Sequence, residues 1–245
     1  MENTDSLSRE QINSRFCLYQ EKDGYRFTLD SLLVAAFPRL RPALRVLDVG
    51  TGTGIIPLLL LSRQPDLRVS AVEIQPEAAM LARKNMKENG LSNVEILQGD
   101  VRELPAELHN CFSLVITNPP YYRPGDGWQS PHAGTARSRH ETLLPLGELV
   151  AKAWKLVAPG GRFVCIYPAA RLADLLWEVR QTGFHPLRIR MVHSRNNQPA
   201  RAVLLDSGKD AGKQLQVCPP LIMHGEDGSY SPEISRLLEE GRLED

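Results

Sequence analysis

Cysteine, charge of a single sign and long apolar runs are all scarce in this sequence. The four cysteines, Cys17, Cys111, Cys165 and Cys218, lie far apart, so neither a disulfide framework nor a paired-cysteine zinc site is spelled out. Cys111 and Cys165 fall at or inside apolar strand-like runs and read as small buried hydrophobes. No H-x-x-x-H spacing occurs, and no metal site is expected. The strongest apolar run, Ile55 to Leu61, is too short to span a bilayer. The opening MENTDSLSRE is polar and acidic, without the apolar stretch of a secretory signal. No membrane association is expected, and a reducing, cytoplasmic setting is the default.

Charge balances at 29 Lys and Arg against 29 Asp and Glu over 245 residues. With 42% apolar and 24% charged residues, the composition is that of a globular chain and excludes wholesale disorder. The balance hides an asymmetry. Residues 121–205 carry 12 basic against 5 acidic side chains, a net of +7, while residues 206–245 carry 4 against 9, a net of −5. The basic stretch permits a face that meets phosphates, although scattered arginines more often make a solvated, salt-bridged surface. The length suits one good-sized α/β domain with a small appendage.

Residues 1–14 are polar and expected to fray. The segment 15–30 reads as two short extended pieces around an Asp23-Gly24 turn, followed by SLLVAAF as a helix with Asp30 or Ser31 as its N-cap. From Arg45 onward, strand and helix patterns alternate. Strands are predicted at 45–50, 68–74, 93–100, 112–118 and 161–167, and helices at 55–63, 76–89, 141–157 and 170–181, with a short helix or turn at 102–109. Successive strand-to-helix steps demand a mostly parallel sheet covered on both faces, a doubly wound α/β fold. Strands at 186–193 and 200–206 have no helix between them and pair as a hairpin at one edge, joined by the polar HSRNNQPA. The long polar segment 121–140 follows a sheet strand, a place where structureless length is usually functional.

Four features at strand ends carry chemistry. LDVGTGTG (47–54) follows a strand and opens an apolar helix, so Gly50, Gly52 and Gly54 allow a tight turn and a close backbone approach to a ligand. Its G-x-G-x-G spacing differs from the G-x-G-x-x-G of dinucleotide sites, and no Gly-Lys-Ser/Thr follows to make a P-loop. Glu73 closes the second strand of the series, where a carboxylate can accept both hydroxyl hydrogens of a ribose; a solvated strand end reads the same way. Asp100 closes the third, where it could accept from an adenine amine with Val101 beside the ring, or simply cap residues 102–109. Finally, Asn118-Pro119-Pro120-Tyr121 follows FSLVIT. Two prolines stiffen that turn and leave the Asn118 side-chain oxygen and the Pro119 carbonyl as acceptors for a planar NH₂ group, with Tyr121 as a stacking ring.

These motifs together resemble class I methyltransferases that use S-adenosylmethionine to modify exocyclic or amide nitrogens. The resemblance covers about residues 45–167 and implies a Rossmann-like, seven-stranded, mostly parallel sheet with one antiparallel strand in a C-terminal hairpin. It implies that Gly50, Gly52 and Gly54 approach the methionine end of the cofactor, with Asp48 and Thr51 beside them. Glu73 and Ile74 would take the ribose side, Asp100 and Val101 the adenine side, and Asn118 to Tyr121 the target nitrogen, Asn118 also touching the cofactor. GYRFTLDSLLVAAF (24–37), RHE (139–141), YPAARL (167–172) and RIRMVHSRNNQPARAVLLDSGK (188–209) narrow it, being similar to the tRNA(adenine-N6)-methyltransferases that act on A37 of a valine tRNA. Some of those relatives carry Phe where Tyr121 stands, and either ring can stack.

Under that resemblance, the partner is a tRNA anticodon loop, whose unstacked bases flip cheaply. Arg26, Phe27 and Asp30 would line the pocket mouth, and Tyr121, Tyr122, Arg139 and Arg195 would contact substrate. Arg137, Arg188, Arg190 and Arg201 are further candidates for phosphate contact. His140 and His193 read as surface histidines, since the chemistry needs no strong base. The expected organisation is an extension over the cofactor crevice (1–44), a catalytic domain (45–210) and an acidic tail (211–245), as a monomer or weak homodimer. Glutamine N5-methylation of a protein would use the same pocket, but those enzymes generally carry an N-terminal helical domain, for which 44 residues leave little room. A non-catalytic RNA-binding protein of this fold is the other alternative, against which the intact motifs argue.

Overall fold

The computed structural model describes residues 7–22, 28–119, 144–212, 214–241 and 243. Its elements run β1 (Leu7–Gln11), β2 (Cys17–Glu21), α1 (Leu29–Ala36), β3 (Arg45–Val49), α2 (Ile55–Arg63), β4 (Arg68–Glu73), α3 (Pro76–Glu88), β5 (Val94–Gln98) and β6 (Phe112–Thr117). They continue with α4 (Leu146–Leu156), β7 (Val157–Pro168), α5 (Leu172–Gln181), β8 (His185–His193), β9 (Ala200–Gly208), β10 (Gln216–Val217), β11 (Leu221–Ile222) and α6 (Pro232–Glu240). The main sheet has the order β10-β8-β9-β7-β6-β3-β4-β5, with β11 also paired to β8. Strand β9 runs antiparallel to both β7 and β8, and every other pairing in that sheet is parallel.

The alternation of side chains across each strand divides the core in two. Val46, Leu114, Ile116, Val164, Ile166 and Leu204 point to one face, where they meet α1, α2 and α6. Leu47, Val115, Phe163, Cys165, Val203 and Leu205 point to the other, under α4 and α5. This is the period-two pattern of a sheet buried on both sides. Helix α2 is buried from Ile55 to Leu61, and its Pro57 lies in the first turn, where a missing N–H removes no intrahelical bond. Chain order reverses at β3: β4 lies on one side of it and β6 on the other. The carboxyl ends of β3 and β6 therefore open a crevice, the usual ligand position in an open α/β sheet.

Seven strands, β3 to β9, make the sheet the sequence predicts, and two-residue strands from the acidic tail extend it to nine. Those two strands are too short to show a period. The amino-terminal expectation needs correction. Residues 7–11 are a strand, not a frayed end, and β2 pairs with them from Leu7↔Glu21 to Gln11↔Cys17. The turn lies at Asn13, whose Oδ1 accepts from the N–H groups of Arg15 (2.8 Å) and Phe16 (2.9 Å), and the Asp23-Gly24 turn falls outside the described residues. Thr28, not Asp30 or Ser31, occupies the N-cap position of α1. Residues 101–103 and 106–108 form two single 3₁₀ turns instead of one short helix. Among the described residues, no helix is long and apolar enough to cross a membrane.

Candidate active site

The loop from β3 into α2 is built on three left-handed glycines, Gly50 (φ 73°), Gly52 (φ 56°) and Gly54 (φ 88°). A side chain at any of them is strained, which explains the alternate spacing. A Cβ at Gly50 or Gly52 would meet nothing within 4 Å, so the backbone there is open to a ligand. Two bonds to the Val72 carbonyl, from the N–H groups of Gly50 (2.9 Å) and Thr51 (3.1 Å), tie the loop to β4. Glu73, at the end of β4, completes the tie: its Oε2 accepts from Gly52 N–H at 2.8 Å and its Oε1 from Gln75 N–H at 2.9 Å. Each carboxylate oxygen keeps acceptor capacity after one bond.

Beneath the loop lies Asp48, fully buried, with neither oxygen hydrogen-bonded, and the buried Thr51 hydroxyl is likewise without a hydrogen bond. Burial pushes the Asp48 carboxyl from an ordinary 3.8 up to about 7; the Thr51 hydroxyl nearby pulls the other way, and the Glu73 charge adds to the rise. Orphaned polar atoms of this kind beside an open backbone cradle suit a polar ligand that is bound there in the working protein.

Across the switch point, β6 ends in Thr117, whose Oγ1 donates to the Val49 carbonyl at 2.9 Å and so pins the β6 end to β3. Asn118 follows. Its Nδ2 donates to Ser31 Oγ on α1 at 3.1 Å. Ser31, Asn118 and the glycine loop from Gly50 to Thr53, with Ile55 and Ile56, line one small cleft. The loop and the asparagine turn, remote from each other in sequence, thus share a single opening.

On the adenine side, Asp100 is already engaged by a near neighbour. Its Oδ1 accepts from the Arg102 N–H at 2.8 Å as an N-cap, and both oxygens take the Arg102 guanidinium, through Nε at 3.0 and 2.9 Å. The side-chain bonds to Arg102 hold the Asp100 carboxyl below its ordinary range. Three N–H groups of Arg102 thus share the two Asp100 oxygens, which makes the residue a cap and an ion-pair partner as well as an acceptor on this rim. Val101 is buried and Ile74 is 39% exposed on the same rim, leaving an apolar edge beside Glu73.

Several expected substrate contacts also serve the fold. Asp30 is ion-paired with Arg201 at the start of β9. Arg188 is buried, donating to the Phe37 carbonyl at 2.7 Å and lying 3.5 Å from Asp206. Arg190 is buried and binds Glu233 through two nitrogens at 2.7 and 2.8 Å. Neither is placed to meet a phosphate, because both guanidinium groups are buried against acceptors inside the protein. Arg195 remains at the surface, donating to the Glu226 carbonyl at 3.3 Å, and His193 is held by the Gln198 carbonyl. Arg26, Phe27, Pro120, Tyr121, Tyr122, Arg137, Arg139 and His140 lie outside the described residues, while Pro119 is the last described residue of its turn.

With that geometry in view, a family model described as the methyltransferase small domain matches residues 29–167. The chain belongs to the methyltransferase small domain family. A relative from Porphyromonas gingivalis named tRNA1(Val) (adenine(37)-N6)-methyltransferase is 33% identical over 92% of this chain and 91% of its own. One of the same name from Erwinia tasmaniensis is 32% identical over 91% of this chain and 90% of its own. Among solved structures, a predicted O-methyltransferase from Agrobacterium tumefaciens superposes with a TM-score of 0.71 at 23% identity, covering 88% of this chain and 98% of that one. A SAM-dependent methyltransferase from Aquifex aeolicus gives 0.51 at 17% identity, over 69% and 84%. These two share the fold of the methyltransferase small domain seen here.

Two parts of this methyltransferase domain carry little sign in the sequence that they belong to the site. Ser31 reads there only as a possible cap. Asn85, fully buried on α3, donates through Nδ2 to the Thr53 carbonyl in the glycine loop (2.8 Å) and to the Tyr19 carbonyl (3.0 Å), while its Oδ1 accepts from Tyr19 N–H (2.8 Å). Asn89, one turn on, exchanges the same pair of bonds with Cys17 at 2.9 and 2.7 Å. The usable signal is an asparagine on the helix face that carries Ala82 and Met86.

Proposed function

We propose that this chain transfers the methyl group of S-adenosylmethionine to N6 of adenine 37 in a valine tRNA. The observation that carries the reading is the cleft that Asn118 shares with the glycine loop, backed by Glu73. Gly50, Thr51 and Gly52 would hold the methionine end, Glu73 the ribose hydroxyls, and Ile74 and Val101 the flanks of the adenine ring. When bound, the cofactor supplies a methyl group activated by its sulfonium.

The chain's own part is alignment. Asn118 Oδ1 and the Pro119 carbonyl accept the two hydrogens of the target amine and turn its lone pair toward the methyl carbon, and Tyr121 stacks on the base. The surplus proton passes to water once the new N–C bond has formed, so no strong base is required. Of Arg188, Arg190 and Arg195, the last is the one at the surface and so the one that can meet a phosphate. The relatives named for tRNA1(Val) supply the substrate, and a tRNA substrate implies a cytoplasmic enzyme.

Labelled methyl from S-adenosylmethionine, offered with unmodified tRNA, DNA and release-factor protein, tests the reading. N6-methyladenosine at position 37 of the valine tRNA is the expected product. Methylglutamine in protein, or label in none of the three, refutes it.

A further inference from the structure

We infer that Arg102 is a positioning residue for the adenine of the bound cofactor, aiming the Asp100 carboxylate so that a 6-amino group is accepted there and a 6-oxo group is not. The inference rests on the reading that places the cofactor's ribose at Glu73. Glu73 pairs with Gln98 across β4 and β5, and its carbonyl accepts from Gly99 N–H at 2.9 Å, so Asp100 stands next along the rim from the ribose acceptor. Val101 is buried and Ile74 exposed on the same rim. A ribose acceptor, an apolar edge and a second acceptor match the hydroxyls, ring and amine of an adenosine.

A carboxylate has about four lone-pair sites, and Arg102 takes up most of them. Its backbone N–H donates to Oδ1 at 2.8 Å, its Nε lies 3.0 Å from Oδ1 and 2.9 Å from Oδ2, and its Nη2 donates to Oδ2. About one acceptor site is left, in a direction that the other bonds fix. Arg102 is in turn held from α4. Its Nη1 donates to Glu148 Oε2 at 3.2 Å, and Lys152 Nζ donates to the carbonyls of Arg102 (3.1 Å) and Leu104 (2.7 Å). A guanidinium only donates and an ionised carboxylate only accepts, so the pair has a single polarity. The same bonds hold the Asp100 carboxyl below its ordinary range, which keeps it ionised at neutral pH. There an amine hydrogen meets an acceptor, whereas a 6-oxo oxygen sets acceptor against acceptor.

The test measures binding alone, by calorimetry without tRNA, of S-adenosylhomocysteine and its 6-oxo counterpart S-inosylhomocysteine. The full-length parent is compared with Arg102→Met, Arg102→Gln, Asp100→Ala, Glu73→Ala and the double variant Arg102→Met/Asp100→Ala. A lost hydrogen bond to a charged group, together with the clash of two acceptors, predicts that the parent prefers the 6-amino compound by about tenfold or more. Arg102→Met keeps the apolar stem and removes the donors. Its carboxylate is free to turn from the 6-oxo group toward the N1–H beside it, so the preference should shrink to about threefold or less. Arg102→Gln should do the same, and decides the matter if the methionine variant fails to fold. In the Asp100→Ala background, Arg102→Met should change the preference by less than about twofold, because no carboxylate is left to aim.

A parent without preference overturns the inference, as does a parent-like preference in the Arg102 variants. Equal weakening of the two compounds is such a result, and makes Arg102 a support of the fold. A further change of preference in the double variant also overturns it, since Arg102 would then act on the base directly. A preference that survives Asp100→Ala removes Asp100 from the base, and the inference with it, while the ribose reading of Glu73 stands. If the parent binds neither compound, or Glu73→Ala binds S-adenosylhomocysteine as the parent does, the placement of the cofactor itself falls.

Discussion

Asp48 couples the fold to pH in a way that can be worked out in advance. Its carboxyl is pushed by burial from 3.8 up to about 7, the nearby Thr51 hydroxyl only partly offsetting the rise. A raised carboxyl pKa means that the native state holds the proton more tightly than the unfolded chain. The associated stability is fully present below the unfolded value and is lost as pH rises through the folded one. Between about pH 5 and pH 8 this amounts to roughly 2–3 kcal/mol, and for a chain of this size about 5–10 °C in melting temperature. Asp48→Asn removes the titration and retains the shape. Melting curves of both proteins at fixed ionic strength across that range isolate the contribution, because every other titrating group is common to the two. The gap should widen in favour of the variant as pH rises. Parallel pH profiles would refute the assignment of a neutral, buried Asp48.

Three further outcomes follow from the same geometry. Asn118→Ala should reduce methyl transfer by about 100-fold or more while leaving S-adenosylmethionine affinity within a few-fold, measured by single-turnover kinetics and calorimetry; a parallel collapse of binding would refute the division of labour. Gly54→Ala should cost about 1–2 kcal/mol in denaturant unfolding, because φ is 88° there and the new methyl comes within 2.8 Å of Met86 Cε, a side-chain end that can move aside. Asn85→Ala should cost roughly 2–4 kcal/mol and increase proteolytic cutting of the β1–β2 hairpin, since Tyr19 and Thr53 lose their side-chain partner together; an unchanged cleavage rate would show that the asparagine does not hold the hairpin.

The legible parts of this protein are those in which one residue type answers a local requirement. Three glycines at alternate positions answer three left-handed backbone angles, and the unbroken apolar runs of β6, β7 and β9 answer a sheet covered on both faces. The capping role of Asp100 is legible in the same way: its bond to Arg102 spans only two residues. Strand β1, and with it the pairing to β2, is illegible because LSREQ has one half-exposed face and no apolar stripe of its own. Its inward hold comes instead from Phe16 and Leu18, and from asparagines on a helix some 66 residues away along the chain.

The arginines show why charge counts mislead at this scale. In β8 the pattern Arg188-Ile189-Arg190 reads as two outward cations around one inward apolar residue, the normal appearance of an exposed strand face. That face is covered. Glu233 from α6, 43 residues further along, pairs with Arg190, while Asp206 from β9, 18 residues beyond Arg188, is shared between Arg188 and Arg162. Part of the positive excess of residues 121–205 is therefore taken up inside the protein against the negative excess of residues 206–245. The Arg190–Glu233 pair ties the acidic tail to the sheet, and the surface left for a polyanion is smaller than the net of +7 implies.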